Sequence, residues 1–159
     1  MRLRRAGSRI SVAVIKSWWN GWTTSHRLHE QVIHPCIFGC KTAQNSSHSF
    51  DSMRARDSWH HYAVCPNLRS LLSRALPECP LATPFDFLAL SHHASLLPLA
   101  VSFDLYHSIK NDISSLHSVL RMLREREEAS AAATPPESAE TFFHFLYTRA
   151  SACVQRLST

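Results

Sequence analysis

The chain has 159 residues, of which 45% are hydrophobic and 18% charged, which is enough apolar content for one domain with a buried core. Three glycines argue against a turn-rich all-β fold and exclude a glycine-rich phosphate-binding or dinucleotide-binding loop. The net charge of +5 is uneven, since residues 1–75 hold 11 basic and 3 acidic residues (+8) and residues 76–159 hold 6 and 9 (−3). A basic half indicates nucleic acid or another anionic partner, or else a solvated basic face.

Residues 9–30 are the first predicted helix, bent or ended near Asn20-Gly21. An apolar residue recurs there every four positions, at Ile10, Val14, Trp18 and Trp22. This spacing predicts that Trp18 and Trp22 share a core-facing side. Trp19 lies off that side and is the better candidate for stacking on a base.

The next part of the chain alternates a tight turn, a polar loop and a short helix. The sequence "PCIFGC" at 35–40 predicts the turn, and the Ser- and Asn-rich residues 41–56 predict a surface loop. Residues 57–65 then begin a short helix with Asp57 or Ser58 as its N-cap.

Helices dominate the rest of the chain. Residues 67–76 continue helically, and prolines break residues 77–98 around a short helical piece in "FDFLAL". A long amphipathic helix is predicted from residue 95 to residue 133, with Pro98 in its first turn. Its apolar stripe is Leu99, Phe103, Tyr106, Ile109, Ile113, Leu116, Leu120 and Leu123.

The sequence "TPPE" at 134–137 ends that helix and starts the last one, with Thr134 and Glu137 as a capping box. The predicted fold class is therefore all-α. We divide the chain into a basic N-terminal segment with a Trp-rich helix (1–34), a small cysteine-bearing loop module (35–76) and a Pro-punctuated linker followed by C-terminal helices (77–159).

Two Cys- and His-bearing pairs flank the polar loop, in the order Cys36-x3-Cys40-x20-His61-x3-Cys65. Three thiolates and one imidazole are what a closed tetrahedral zinc site uses, with no position left for water. The pattern predicts a structural Zn²⁺ rather than a catalytic one. The alternative is a set of buried free thiols beside a polar histidine pair, since cysteine is also a common core residue.

The choice between the adjacent histidines follows from spacing. His61 and Cys65 are four residues apart and share one face of a helical turn, whereas His60 is five residues from Cys65. His61 is therefore the predicted ligand and His60 the fallback. Gly39 gives the first pair the freedom to bend around an ion. Cys79 and Cys153 are predicted to be core or spare thiols.

"PCIFGC" followed by "DSWHHYAVCP" resembles the zinc-binding region at the C-terminal end of non-LTR (LINE-type) retrotransposon reverse transcriptases. "WWNGWTTSHRLHE" is similar to the Trp-rich helix that precedes that region in algal and dinoflagellate copies, and "FDFLALS" and "VSFDLYHSIKNDI" to the helical tail. The resemblance covers roughly residues 15–115 and gives His61 the histidine position. The loop at 41–56 departs from the family pattern.

The resemblance implies a module that helps hold template or target nucleic acid. The polymerase's paired aspartates are absent from the chain, so we expect binding of RNA or DNA, mainly through phosphate, without catalysis. The candidate nucleic-acid-binding residues are Arg2, Arg4, Arg5, Arg9, Lys16, Trp19, Arg27, Arg54 and Arg56.

Two other functions stay open. The 95–133 helix could pair with a protein partner in a zinc-dependent interaction module, or the chain could be a decayed, non-functional retroelement fragment. We expect an intracellular, nuclear protein, with mitochondrial targeting as the alternative because the first 29 residues lack acids. Hydropathy predicts no spanning helix, and we expect no membrane partner.

Overall fold

The computed structural model describes residues 7–25, 27–31, 34–40, 56–79, 81, 83–90, 95–131 and 137–158. Within these residues the fold is all-α, as predicted, and the only pairing of extended chain is an isolated antiparallel bridge between Pro35 and Arg56. The described helices are α1 (Ser8–Trp18), α2 (Trp59–Tyr62), α3 (Pro66–Ala75), α4 (Pro84–Phe87), α5 (Leu97–Lys110), α6 (Ile113–Ala131) and α7 (Glu137–Ser158).

The first helix ends at the Asn20-Gly21 turn, one of the two outcomes predicted for residues 9–30, and does not continue to residue 30. Asn20 has φ 53°, and the Gly21 N–H donates to the Lys16 carbonyl at 2.6 Å, which closes the last turn. A side chain at Gly21 would place its Cβ 2.8 Å from the same carbonyl oxygen, so this close approach requires glycine.

The end of α1 separates the two tryptophans that the sequence placed on one face. Trp22 is fully buried, as predicted. Trp18 is 40% exposed and donates its indole N–H to the Leu88 carbonyl at 3.0 Å, so its predicted core position is wrong. The physical reason is that Trp22 follows the turn and is no longer on the helical repeat that carries Trp18.

Trp22 is the centre of an aromatic cluster that joins the N-terminal segment to α2 and α5. Its ring centroid lies 5.2 Å from that of Trp59, 5.5 Å from Tyr62, 5.9 Å from Phe103 and 4.8 Å from Tyr106. Such ring contacts add to the burial of large apolar surface. The cluster therefore fixes α2, which carries half of the Cys/His pattern, against the helical body.

The predicted single helix at 95–133 is wrong, because the chain breaks between α5 and α6. The Asp112 carboxylate accepts hydrogen bonds from the Ser114 N–H at 3.1 Å, the Ser114 hydroxyl at 2.8 Å and the Ser115 hydroxyl. Asp112 thus caps a new helix instead of continuing the old one. The apolar stripe is interrupted at the same point, since Ile113 is 71% exposed while Val119 is fully buried.

α5 is the central helix, and its first turn contains Pro98 as predicted. It packs against α1, α6 and α7, and α7 also packs against α3 and α6. The buried residues of α7 are Phe142, Leu146, Ala150 and Cys153. Among the described helices we find none with the length and apolarity to span a bilayer.

Thr134 of the predicted capping box lies outside the described residues.

Candidate metal centre

The four predicted ligands lie together in space. The ligand atoms of Cys36, Cys40, His61 and Cys65 are all within 4.8 Å of one another. The Cys65 sulfur is 3.8 Å from that of Cys36 and 3.4 Å from that of Cys40. A tetrahedral zinc ion with bonds of about 2.3 Å separates its sulfur ligands by about 3.8 Å. The sulfur positions therefore fit a tetrahedral ion.

Short-range contacts bring the two pairs to the same place. The first pair is shaped by Gly39, which has φ 76° and donates its N–H to the Cys36 carbonyl at 2.9 Å. The second pair is tied to it through the Pro35–Arg56 bridge and through the Asp57 N–H, which donates to the His34 carbonyl at 2.9 Å. The chain just before the first pair and the chain just before the second pair therefore meet beside the cluster.

The second pair is fixed by two helix caps. Ser58 is the N-cap of α2, and its hydroxyl accepts a hydrogen bond from the His61 N–H at 3.3 Å. Cys65 is the N-cap of α3, and its sulfur accepts from the Leu68 N–H at 3.4 Å. These caps place His61 in the cluster, with 4% of its surface accessible, while His60 is exposed.

One atom of the cluster lacks a partner that its burial requires. The Nε2 of His61 is inaccessible to water and makes no hydrogen bond with the part of the chain that the structure describes. Buried polar atoms are nearly always paired, and an exception calls for an explanation such as an ion. A metal bound at this nitrogen would supply the missing partner.

The thiols of the cluster differ in pKa when no cation is bound. Burial raises the pKa of the Cys36 thiol well above its usual range, and the nearby thiols of Cys40 and Cys65 add to this effect. Hydrogen bonds from the Cys36 and Cys65 thiols lower the pKa of Cys40. Three thiolates held this close repel one another, and a divalent cation is the charge that allows all of them to ionise together.

Residues around the cluster close it from water and hold its turn. Ile37 and Phe38 are fully buried between the first two cysteines. The Asn67 side-chain N–H donates to the Phe38 carbonyl at 2.9 Å, and Arg126 reaches the Gly39 carbonyl at 3.5 Å. The turn is thus braced by α3 and α6, which suits a structural site rather than an open catalytic one.

The sequence did not reveal the importance of Asp57, which was only a candidate N-cap. Its carboxylate is fully buried. One oxygen accepts from the Tyr62 hydroxyl at 2.7 Å and the Tyr106 hydroxyl at 2.9 Å. The other accepts from the Ser25 N–H at 2.7 Å and lies 3.1 Å from Lys110 Nζ. Asp57 therefore links α2, beside the cluster, to α5 and to the segment after α1.

The predicted nucleic-acid-binding residues that the structure describes lie on several parts of the chain. Arg9 and Lys16 lie on α1, the 76% exposed Trp19 caps it, Arg27 follows as an exposed residue, and Arg56 lies at the bridge beside the metal cluster. Arg2, Arg4, Arg5 and Arg54 lie outside the described residues. Cys79 and Cys153 lie outside the Cys/His cluster, half-buried and buried respectively.

Gly39→Ala is expected to destabilise the chain by about 2 to 5 kcal/mol, from left-handed backbone strain and overpacking. The added Cβ would lie 2.7 Å from the Phe142 ring and 3.2 Å from Leu123. Urea denaturation measures the free energy of unfolding. Gly7→Ala is the matched control, because its Cβ would meet open space. Equal stability of the two variants would contradict this account of the turn.

Comparison with protein-family models, with curated proteins and with solved structures finds no match to the chain. The resemblance to retrotransposon reverse transcriptases stays a prediction from the quoted motifs. The geometry of the Cys/His cluster stands independently of that resemblance. The structure shows an all-α fold in which four residues lie close enough together that they could bind a metal ion.

Proposed function

We propose that the chain is a nucleic-acid-binding module held together by a structural zinc ion, without catalytic activity of its own. The observation that carries the proposal is the closed cluster of Cys36, Cys40, His61 and Cys65, in which a buried imidazole nitrogen has no partner among the described residues. A bound ion would cross-link the turn at 35–40 to α2 and to the start of α3.

Zinc is the metal that best suits this donor set. Thiolate and imidazole ligands in a tetrahedral arrangement are typical of zinc, whereas magnesium and calcium prefer oxygen ligands. Cys36, His61 and Cys65 are buried and Cys40 is half-buried, so four protein ligands would fill the coordination sphere. With no position left for water, the ion would stabilise the fold and would not activate a substrate.

The charge distribution and the exposed aromatic side chain favour nucleic acid as the partner. Lys16 and Trp19 are exposed one turn apart at the end of α1, and Arg27 is exposed shortly after. A cation beside an exposed indole offers phosphate contact and base stacking together. The resemblance to the reverse transcriptase region supports the same partner class.

Binding of a single-stranded oligonucleotide is expected to weaken steeply with salt, as counterion release requires. Lys16→Gln and Arg27→Gln should each reduce the slope of log K against log salt by about one. Trp19→Ala should weaken single-strand binding by about 5- to 150-fold through lost stacking. Fluorescence anisotropy across a salt series measures all three effects on the zinc-loaded chain.

The controls for this titration come from the acidic half of the chain. Arg121→Gln removes an exposed cation on α6, and Tyr147→Ala removes an exposed ring on α7. Both are expected to leave binding unchanged. An affinity that is independent of salt, or that falls equally in the Arg121 variant, would remove the basis for a nucleic-acid interface on α1.

Burial of the apolar stripe argues against a protein partner on the predicted 95–133 helix. Leu99, Tyr106 and Ile109 are fully buried in the chain's own core, and the break at Asp112 ends the stripe. A helix partner would have to displace that core. Nucleic-acid binding therefore remains the better-supported proposal.

A further inference from the structure

The outer side of α1 is apolar as well as its inner side. Ala13, Val14 and Ser17 face α5 and are buried. Val12 and Ile15 point away from them and are about half exposed. At 100° per residue, Val12, Ile15 and Trp19 fall within about 60° of one another, opposite the buried face. They form a ridge along the helix, which we call the outer ridge of α1.

Two more exposed apolar residues lie on the segment that contacts the end of α1. The Trp18 indole bonds to the Leu88 carbonyl at 3.0 Å, which brings the end of α1 beside α4. Phe85 and Leu90, at the two ends of this short segment, are both more than half exposed. An exposed apolar patch beside charged residues often marks a site of interaction.

A basic edge accompanies the ridge. Arg9 and Lys16, two turns apart, fall on one side of it, and both are exposed. Residues 1–29 contain no Asp or Glu, and Asp104 of α5, which lines the same groove as Arg9, is paired with Arg156 at 2.8 Å. The ridge and its edge therefore complement a surface that is negatively charged outside and apolar within.

We propose that the outer ridge of α1 binds the surface of an anionic membrane, with α1 lying flat in the interface. Tryptophan prefers the membrane–water boundary, and neighbouring aliphatic side chains insert beside it. Arg9 and Lys16 attract anionic headgroups. Val12 and Ile15 offer nucleic acid neither charge nor a stacking surface, so the composition of the ridge favours lipid.

The shape of the site agrees with this occupant. Val12 borders a groove that α1 forms with Phe103 and Leu157, whereas Ile15 and Trp19 lie outside that groove and are open to a flat surface. Hydropathy argued against a membrane partner because it tests for a spanning helix. An interfacial helix needs only one apolar side and a charged flank, and α1 has both.

Sedimentation of the zinc-loaded chain with vesicles tests the proposal. Partition into vesicles of equal parts phosphatidylcholine and phosphatidylserine should exceed partition into pure phosphatidylcholine by about tenfold or more. Each of the two basic residues is expected to contribute about fivefold to this ratio. Val12→Ser/Ile15→Ser should lower partition by about tenfold or more, because two inserting side chains lose their apolar surface. Lys16→Gln should lower partition by about fivefold.

The matched control, Val64→Ser/Ile113→Ser, replaces two exposed aliphatic residues that lie outside α1, one about as exposed as Val12 and one more exposed than Ile15, and should leave vesicle binding unchanged. Circular dichroism checks that each variant is folded. Because Lys16 and Trp19 remain in the Val12/Ile15 variant, its oligonucleotide binding should also be unchanged. Loss of vesicle binding with oligonucleotide binding retained would support the membrane proposal separately from the proposed function.

Three results would overturn it. The first is equal binding of neutral and anionic vesicles, and the second is unchanged vesicle binding by Val12→Ser/Ile15→Ser. The third is a wild-type dimer that this variant converts to a monomer without any vesicle binding, which would assign the outer ridge to a second copy of the chain.

Discussion

His61→Ala is expected to reduce the zinc content of the purified chain from one ion to near zero, and to abolish its cooperative thermal unfolding. Structural zinc contributes about 10–16 kcal/mol of binding free energy in small zinc-finger peptides, which matches or exceeds the stability of a typical domain, about 5–15 kcal/mol. Losing one of four ligands would leave three buried or half-buried thiols without their counter-charge. Metal analysis by mass spectrometry and melting by circular dichroism measure the two effects.

His60→Ala is the matched control, one residue away on the same short helix. His60 is exposed, so its replacement should change the free energy of unfolding by no more than about 0.5 kcal/mol and leave the zinc content unchanged. Loss of zinc from the His60 variant alone would show that the wrong histidine was assigned. Unchanged helicity and melting of the wild-type chain after verified chelation would show that the cluster does not hold the fold.

The metal cluster could be predicted from the sequence because its ligands lie in two short stretches of the chain. Each Cys/His pair is only a few residues long, and the chemistry of the four side chains limits what they can do together. The spacing argument nevertheless selected His61 for a partly mistaken reason. α2 ends at Tyr62, and Cys65 caps the following helix, so the two ligands do not share one regular helical face.

The break between α5 and α6 was missed because the apolar spacing continues through it. Ile113 falls on the predicted stripe, yet it is largely exposed. The local signal was present in Asp112 followed by Ser114 and Ser115, a combination that caps a helix rather than prolonging it. Periodicity alone reports which residues could share a face, and capping chemistry decides where a helix begins.

The role of Asp57 could not be read from the sequence at all. Its partners Tyr106 and Lys110 are about fifty residues away and belong to another helix. Burial raises the pKa of the Tyr62 phenol well above its usual range, so this hydroxyl stays protonated and donates to the carboxylate. Only the folded arrangement shows that an acid at this position is surrounded by donors.

Lys110→Met is expected to lower the free energy of unfolding by about 3 to 5 kcal/mol, the cost of leaving a buried charge without its partner. Asp57 is fully buried, and the Lys110 side chain is 8% exposed. The neighbouring Glu30 also loses its contact with Lys110, at 3.4 Å. Urea denaturation at saturating zinc measures the change without interference from metal loss.

Two further variants separate the ion pair from general loss of packing. Asp57→Asn combined with Lys110→Met should cost less than the sum of the two single changes, since the double variant has no unpaired buried charge. Arg121→Met is the surface control, because the Arg121 side chain is 74% exposed and its contact with Glu125 should contribute no more than about 1 kcal/mol. Additive single changes would show that Asp57 and Lys110 are not coupled.

The same variants test whether the metal cluster depends on the helical body. Asp57 bonds to Tyr62, next to His61, and to Tyr106 and Lys110 on α5. If folding and metal binding are linked, destabilising this contact should weaken zinc affinity in the Lys110 variant and leave it unchanged in the Arg121 variant. Competition with a zinc chelator of known affinity measures this. Unchanged zinc affinity, together with a large loss of stability, would mean that the turn at 35–40 and α2 hold the ion without α5.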